Sequence, residues 1–196
     1  VFTALLDTCV LWPSLQRDFL LSLAVEGMYR PVWSDAILEE LEFHEARKLV
    51  KRGTDPDRAA EFARLLVEQM QVAFDDALVE GREGLDMTYG LPDPDDEHVV
   101  AAAVVGGAGV IVTHNVKDFP LDRLPGHLEV LRPPEFLLNT VALDPHRGLR
   151  AVAEIAKRSG RRGPALTVPA ILDLLVQRYE LTDAVEVLRG VPRPDA

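Results

Sequence analysis

Short apolar runs that end in polar turn residues, with helical patterns between them, restrict this chain to a small set of folds. Phe2 to Leu6 is short and mostly apolar and stops at Asp7-Thr8, which reads as a buried strand. After Pro13 a helical pattern runs through Phe19, Leu20, Leu23 and Ala24 to a stop at Gly27, and Arg30 to Trp33 reads as a second strand. Ser34 stands where an N-cap belongs, ahead of Ile37, Leu38, Leu41 and Leu49. Gly53-Thr54-Asp55-Pro56 is a stop followed by a start, and the next helix is expected to bury Ala59, Phe62, Leu65, Leu66 and Met70.

Residues 75–90 have weak periodicity and read as a loop or as a strand with an excursion. Pro92-Asp93-Pro94 then opens a helix through Val99, Val100, Ala103 and Val104, which Gly106-Gly107 closes. Val110 to Val112 is a further buried strand, and a last one near Leu128 to Leu131 precedes a helix through Phe136, Leu137 and Leu138. Strands that alternate with helices predict an α/β sandwich on a mainly parallel sheet. Beyond Asp144 only helical stretches follow, around 149–156, 171–179 and 184–188. The expected division is therefore a domain over 1–143 and a small all-helical appendage over 144–196.

Composition narrows the class. A hydrophobic fraction of 47% and a charged fraction of 27% fit a globular protein, and the apolar runs are too short to span a bilayer. The single Cys9 excludes a disulfide framework and cysteine-rich zinc motifs; with no export signal evident, a cytoplasmic protein is expected. The net charge of −11 argues against a general nucleic-acid coat protein. It argues less against an enzyme that holds divalent cations among carboxylates, because the metal reverses the local field.

Among 32 acidic residues, a few resist explanation as solvated surface. Asp7 follows an apolar strand directly, and ligands of open α/β sheets bind outside the carboxyl ends of strands. Asp96 precedes Val99 and Val100 by three and four residues, which at 100° per residue aims it at the apolar face of its helix. Asp95 and Glu97 fall to either side and read as first-turn acids that favour the helix dipole, with Asp93 as N-cap. Glu40 lies nearer than Glu39 to the face set by Ile37, Leu38 and Leu41. Asn115 and Asp118 follow the Val110 to Val112 strand and share the sheet edge expected for Asp7. His98, on the face opposite Asp96, and His44, one turn past Glu40, are potential ligands or protonic groups, with an exposed or internally satisfied histidine as the commoner reading of each.

Four pieces in this order resemble the PIN-domain nucleases: Leu5-Leu6-Asp7-Thr8; Trp33-Ser34 through Glu40-Leu41; Asp93-Pro94-Asp95-Asp96-Glu97-His98-Val99; and Val112-Thr113-His114-Asn115 with Lys117-Asp118-Phe119. They frame about residues 1 to 140, and within the family the likeness is to VapC-type toxins of bacterial toxin–antitoxin pairs, some of which carry a C-terminal extension. The resemblance implies a three-layer α/β fold and RNA cleavage dependent on Mg²⁺ or Mn²⁺. It implies Asp7 and Asp96 as direct ligands and Glu40 as a ligand directly or through water. The family's fourth acid falls where this chain has Asn115; either Asp118 supplies the missing charge or the Asn115 amide oxygen takes that place. Thr8, Ser34 and Thr113 would support the carboxylates from behind. Arg47, Lys48 and Arg52 are candidate RNA contacts, as is a second basic cluster of Lys157, Arg158, Arg161 and Arg162. An antitoxin protein and self-association are the partners the likeness implies.

Two rival readings follow from the same residues. A phosphatase of the haloacid dehalogenase type also begins with an aspartate after its first strand, but needs a second acid where Cys9 stands. A degenerate PIN-like scaffold without turnover is the alternative raised by Asn115.

Overall fold

The computed structural model describes residues 1–81, 88–161 and 163–192. In chain order it runs β1 (Thr3–Leu6), α1 (Thr8–Leu11), α2 (Ser14–Val25), β2 (Arg30–Val32), α3 (Asp35–Lys51) and α4 (Pro56–Ala73). It continues through α5 (Glu97–Val105), β3 (Val110–Val112), β4 (Glu129–Leu131), α6 (Pro133–Leu143), α7 (Pro145–Arg158), α8 (Val168–Tyr179) and α9 (Thr182–Arg189). The chain forms two compact units, one of Phe2–Trp12 with Pro31–Leu131, the other of Val1, Pro13–Arg30 and the chain from Arg132 onward.

The first unit is built on the sheet β2-β1-β3-β4. β1 and β3 pair in parallel with Leu6 opposite Val112, and β3 pairs with β4 in parallel with Val112 opposite Leu131. Every residue of β3 and the last three of β1 are buried, which is why both read as unbroken apolar runs rather than alternating ones. Beyond β2 the edge continues through a parallel bridge of Trp33 with Leu78, with the Val79 amide donating to the Trp33 carbonyl at 2.8 Å. The weakly periodic stretch 75–90 thus contributes a sheet contact at Leu78, while its part 82–87 lies outside the described residues.

Helix ends follow local chemistry. The Ser34 hydroxyl accepts from the Ile37 amide at 3.3 Å to start α3, and Asp55 accepts from Arg58 to start α4 with Pro56 in its first turn. At the end of α5, Gly107 has φ +66, and a Cβ on Gly106 would stand 2.7 Å from the Val79 side chain. The paired glycines supply a left-handed turn and a close approach in two consecutive residues.

Two expectations about helix faces are corrected. α4 buries Ala59, Ala63, Val67 and Met70, whereas Phe62 is exposed and Leu65 and Leu66 are only partly covered. α4 packs on α3 as a hairpin, and small residues four apart give that close seam. Glu97 is no surface acid of a first turn; only 3% of it is exposed. Residues Pro94–Asp96 form a 3₁₀ turn. Glu97 is the first residue of α5, a helix buried on nearly every side, and it stands three and four residues ahead of the buried Val100 and Ala101. Its carboxylate accepts the amides of Leu91 at 2.8 Å and Tyr89 at 2.9 Å, which ties down the chain leading into Asp93.

The second unit is helical. α2 packs on α7, α6 on α9, and α7, α8 and α9 on one another. Tyr29 and Phe136 meet edge to face at 5.0 Å, and Arg158 donates to Ser22 Oγ at 2.9 Å. A Cβ on Gly148 of α7 would stand 2.6 Å from Leu188 Cδ2, which marks a close helix crossing at that glycine. Asp144 caps α7 by accepting the Arg147 amide at 3.0 Å. Of the second basic cluster, Lys157 pairs with Glu154 and Arg158 is engaged with Ser22, while Arg162 lies outside the described residues. Among the described residues no helix is long and apolar enough to cross a membrane.

Glu97 gives a direct stability test. Burial alone would raise its pKa, but the amides of Leu91 and Tyr89 outweigh it and hold the carboxyl below the usual glutamate range. Glu97→Ala should cost about 3 kcal/mol in urea denaturation, by leaving buried amides without an acceptor. Because the folded value is depressed, this contribution is present above the ordinary glutamate range and is lost as pH falls through the folded value. Glu97→Gln should flatten that slope. A loss below about 0.5 kcal/mol for the alanine variant would contradict the assignment.

Candidate active site

The parallel register of β1 and β3 brings two neighbouring strand ends together. Asp7 leaves β1 beside Thr113, which leaves β3, and the Thr113 hydroxyl donates to Asp7 Oδ2 at 2.6 Å. Cys9, at the start of α1, adds a thiol donor to the same oxygen at 3.1 Å, and its Sγ accepts the His114 amide at 3.2 Å. Both donors land on Oδ2, which leaves Oδ1 for the cleft. Thr113 Oγ also accepts the Asn115 amide at 3.0 Å, so one hydroxyl fixes the aspartate and the following turn together. Burial and the Asp7 charge push the Cys9 thiol up to about 12, with Thr113 and the His114 amide opposing. The thiol therefore stays protonated, and it serves as a donor and not as a nucleophile.

α3 supplies Glu40. Its Oε2 accepts the Thr8 hydroxyl at 2.6 Å, and its Oε1 lies 3.5 Å from His98 Nε2 on α5. His98, followed by Thr8, holds the Glu40 carboxyl below its usual range against the opposing effect of burial. Glu39 is exposed. His98 is a histidine satisfied internally through its Nε2, held at the edge of the site by Glu40. Its Nδ1 is buried with no hydrogen-bond partner.

One open cleft of about 400 Å³ is lined by Asp7, Thr8, Cys9, Trp12, Glu40, His44, Asp96 and Asn115. Of these, Asp7, Glu40 and Asp96 come from well-separated parts of the chain, and the sheet edge and two helices place them in one concavity. Asp96 is half-buried at the junction of the 3₁₀ turn and α5. Its pKa is pushed up to about 6, first by burial, then by the charges of Asp7, Asp93 and Asp118, with His98 opposing. Asp118 does not line the cleft, but its charge reaches Asp96; Asn115 does line it. Thr8 and Thr113 each brace one acid, whereas Ser34 is fully buried and its hydroxyl is spent on the α3 cap.

The basic candidates differ in availability. Lys48 has 11% of its side chain exposed, pairs with Glu45, and donates to the Trp12 carbonyl at 3.3 Å. Arg47 is exposed and lies 5.4 Å over the Phe43 ring; Arg52 is exposed at the end of α3. Trp12 and Cys9 are site residues that sequence reasoning does not select. A tryptophan one turn after Asp7-Thr8 is the available signal for the first. Contacts with Asp7, Thr113 and the His114 amide, invisible in sequence, place the second.

A family model described as PIN domain matches residues 3–117, more than half of the chain. This chain belongs to the PIN-domain family. It is also similar to a Mycobacterium tuberculosis (strain ATCC 25618 / H37Rv) protein named "Putative ribonuclease VapC50", with 51% identity over 49 residues. That match covers 24% of this chain and 29% of the relative, less than a third of its length. No solved structure matches the chain.

For this PIN domain the donor set can be tested against a metal. Among the described residues, no group of three or more His, Cys, Asp or Glu side chains is arranged to hold an ion by itself. Mg²⁺ and related hard cations take oxygen donors, need only one or two carboxylates and keep several waters. Asp7 Oδ1, Asp96, Glu40 and the Asn115 amide oxygen fit that demand in donor type. The upward shift of Asp96 has the same sense: crowded carboxylates favour a proton or another cation.

This yields a titration. One carboxyl of the metal-free protein should titrate with a midpoint near pH 6, followed by carboxyl carbon NMR, and Asp96→Asn should abolish it. A raised folded value means that the proton binds the folded state more tightly than the unfolded one, so this group's contribution to stability declines as pH rises toward 6. Mn²⁺ affinity should fall as pH drops below about 6, where the proton competes. If Asp96 titrates in the ordinary carboxylate range, the electrostatic account fails.

Proposed function

We propose that this PIN domain is a metal-dependent endoribonuclease, the toxin of a toxin–antitoxin pair. The observation that carries the reading is the cleft in which Asp7, Glu40, Asp96 and Asn115 converge from a strand end, a helix and two turns, with Asp118 adding charge. Family membership and the ribonuclease name of the partial relative support it. Asp7 and Asp96 would hold Mg²⁺ or Mn²⁺ directly, Glu40 directly or through water, and Asn115 would offer a neutral oxygen in the fourth place. When bound, such a cation supplies charge neutralisation of the scissile phosphodiester and activation of an attacking water.

The chain's own residues prepare the site. Thr113 and Cys9 occupy one oxygen of Asp7 and so fix which oxygen faces the cleft. Thr8 and His98 do the same for Glu40 and keep it ionised. The acids come from separate elements, so the geometry is set by the sheet register rather than by a flexible loop. Arg47 and Arg52 on α3 would attract the RNA backbone, an electrostatic need in a chain of net charge −11. A small antitoxin protein would be the regulatory partner.

The test is cleavage of cellular RNA by the purified chain with Mg²⁺ or Mn²⁺, stopped by chelation. Asp7→Asn and Asp96→Asn should each lose more than about 100-fold with the fold intact, and Thr113→Val about 10- to 100-fold, as for a group that only orients a ligand. Unchanged cleavage by both aspartate variants would refute the assignment. Calorimetry showing no affinity for Mg²⁺ or Mn²⁺ would favour the scaffold alternative suggested by Asn115.

A further inference from the structure

The cleft has one wall that the metal chemistry does not use. Trp12 caps the short α1 and lines the cleft beside His44, yet 42% of it remains exposed. The exposure is not looseness. The indole Nε1 donates to the His44 carbonyl at 3.3 Å, the Trp12 carbonyl accepts from Lys48 at 3.3 Å, and the Lys48 ammonium lies 5.8 Å from the indole centroid. A large aromatic held from both its backbone and its ring nitrogen has lost its conformational freedom while keeping apolar surface in water.

The same pattern continues along α3. His44 meets the Phe43 ring at 5.5 Å, Phe43 is 59% exposed, and the Arg47 guanidinium lies 5.4 Å over it. Aromatic faces next to cations thus lead away from the acidic cleft in a protein whose net charge is −11. Rigid aromatic faces with flanking cations are what unpaired nucleotides require, because every base has a face to stack and every linkage a negative charge. A base-paired duplex offers no free base face to such a wall.

We infer that Trp12 is a nucleobase-stacking platform that holds one unpaired base of the RNA next to the scissile linkage. This rests on the ribonuclease reading above and adds the residue that makes the contact and its position.

The test uses the full chain carrying Asp96→Asn in excess Mg²⁺, titrated with an unpaired RNA of about ten nucleotides. The other tryptophan, Trp33, is fully buried, so a change of emission on adding RNA reports on Trp12. The RNA should quench that emission. With affinity read instead from the anisotropy of a dye-labelled RNA, Trp12→Leu should weaken binding about 5- to 100-fold while Trp12→Phe recovers most of it. Replacing the stacked nucleotide with an abasic one should weaken binding to Trp12 by a similar factor and leave the leucine variant nearly unaffected. The same sequence as a duplex should bind more weakly than the single strand. Absence of quenching, unchanged binding by Trp12→Leu, an equal abasic penalty in both proteins, or equal binding of duplex would each overturn the inference. Metal-dependent RNA cleavage that persists undiminished in Trp12→Leu would overturn the platform alone; loss of the ribonuclease reading shows separately, as absent cleavage by the wild-type chain.

Discussion

Leu6 lies in register with Val112, so the residues that follow both strands leave the sheet side by side at one edge. That single parallel alignment makes the Asp7–Thr113 hydrogen bond possible and sets Cys9 against both. A shift of one residue would draw Asp7 into the apolar position opposite Val112, and the cost of burying a carboxylate there resists such a slip. The remaining acids then need only helix starts aimed at the same edge. α3 presents Glu40 to Thr8, and the 3₁₀ turn ahead of α5 presents Asp96.

The gathered groups are not electrostatically equivalent. Glu40 is lowered by His98 and Thr8, Asp96 is raised by burial and neighbouring carboxylates, and the Cys9 thiol is raised until it stays neutral. Environments that push titratable groups apart divide the work among them. An ionised Glu40 gives a fixed negative charge, Asp96 takes up a proton at about pH 6, and Cys9 only donates. Structural acids keep to themselves: Glu97, one residue from Asp96, is wholly occupied by the amides of Leu91 and Tyr89 and holds the approach to the cleft in place.

Where local chemistry decides the structure, the sequence was legible. Ser34 as a cap, Gly106-Gly107 as a stop, and the apolar strands ending at Asp7 and Thr113 all follow from the preferences of single residues. The convergence of Asp7, Glu40, Asp96 and Asn115 on one cleft follows from those ends and the parallel sheet. What was illegible depends on tertiary context. α5 is buried on nearly every side, so a periodic pattern has no solvent face to find, and Glu97 and His98 take partners that only the tertiary fold supplies. The α4 face was misassigned because Phe62 is more apolar than Ala63, yet a tight helix hairpin selects the smaller residue. Trp12 and Cys9 acquire their roles from residues 32 and 104 positions away, beyond any local pattern.

The central claim is that this cleft is a divalent-cation site built on Asp7 and Asp96. Crystals grown with Mn²⁺ and measured at the manganese absorption edge test it without reference to any substrate. An anomalous peak about 2.1 Å from Asp7 Oδ1 and from an Asp96 oxygen is the expected result, with Asn115 or Glu40 reaching the ion directly or through water. No peak in the cleft at millimolar Mn²⁺, or a peak held by other residues, would contradict the account.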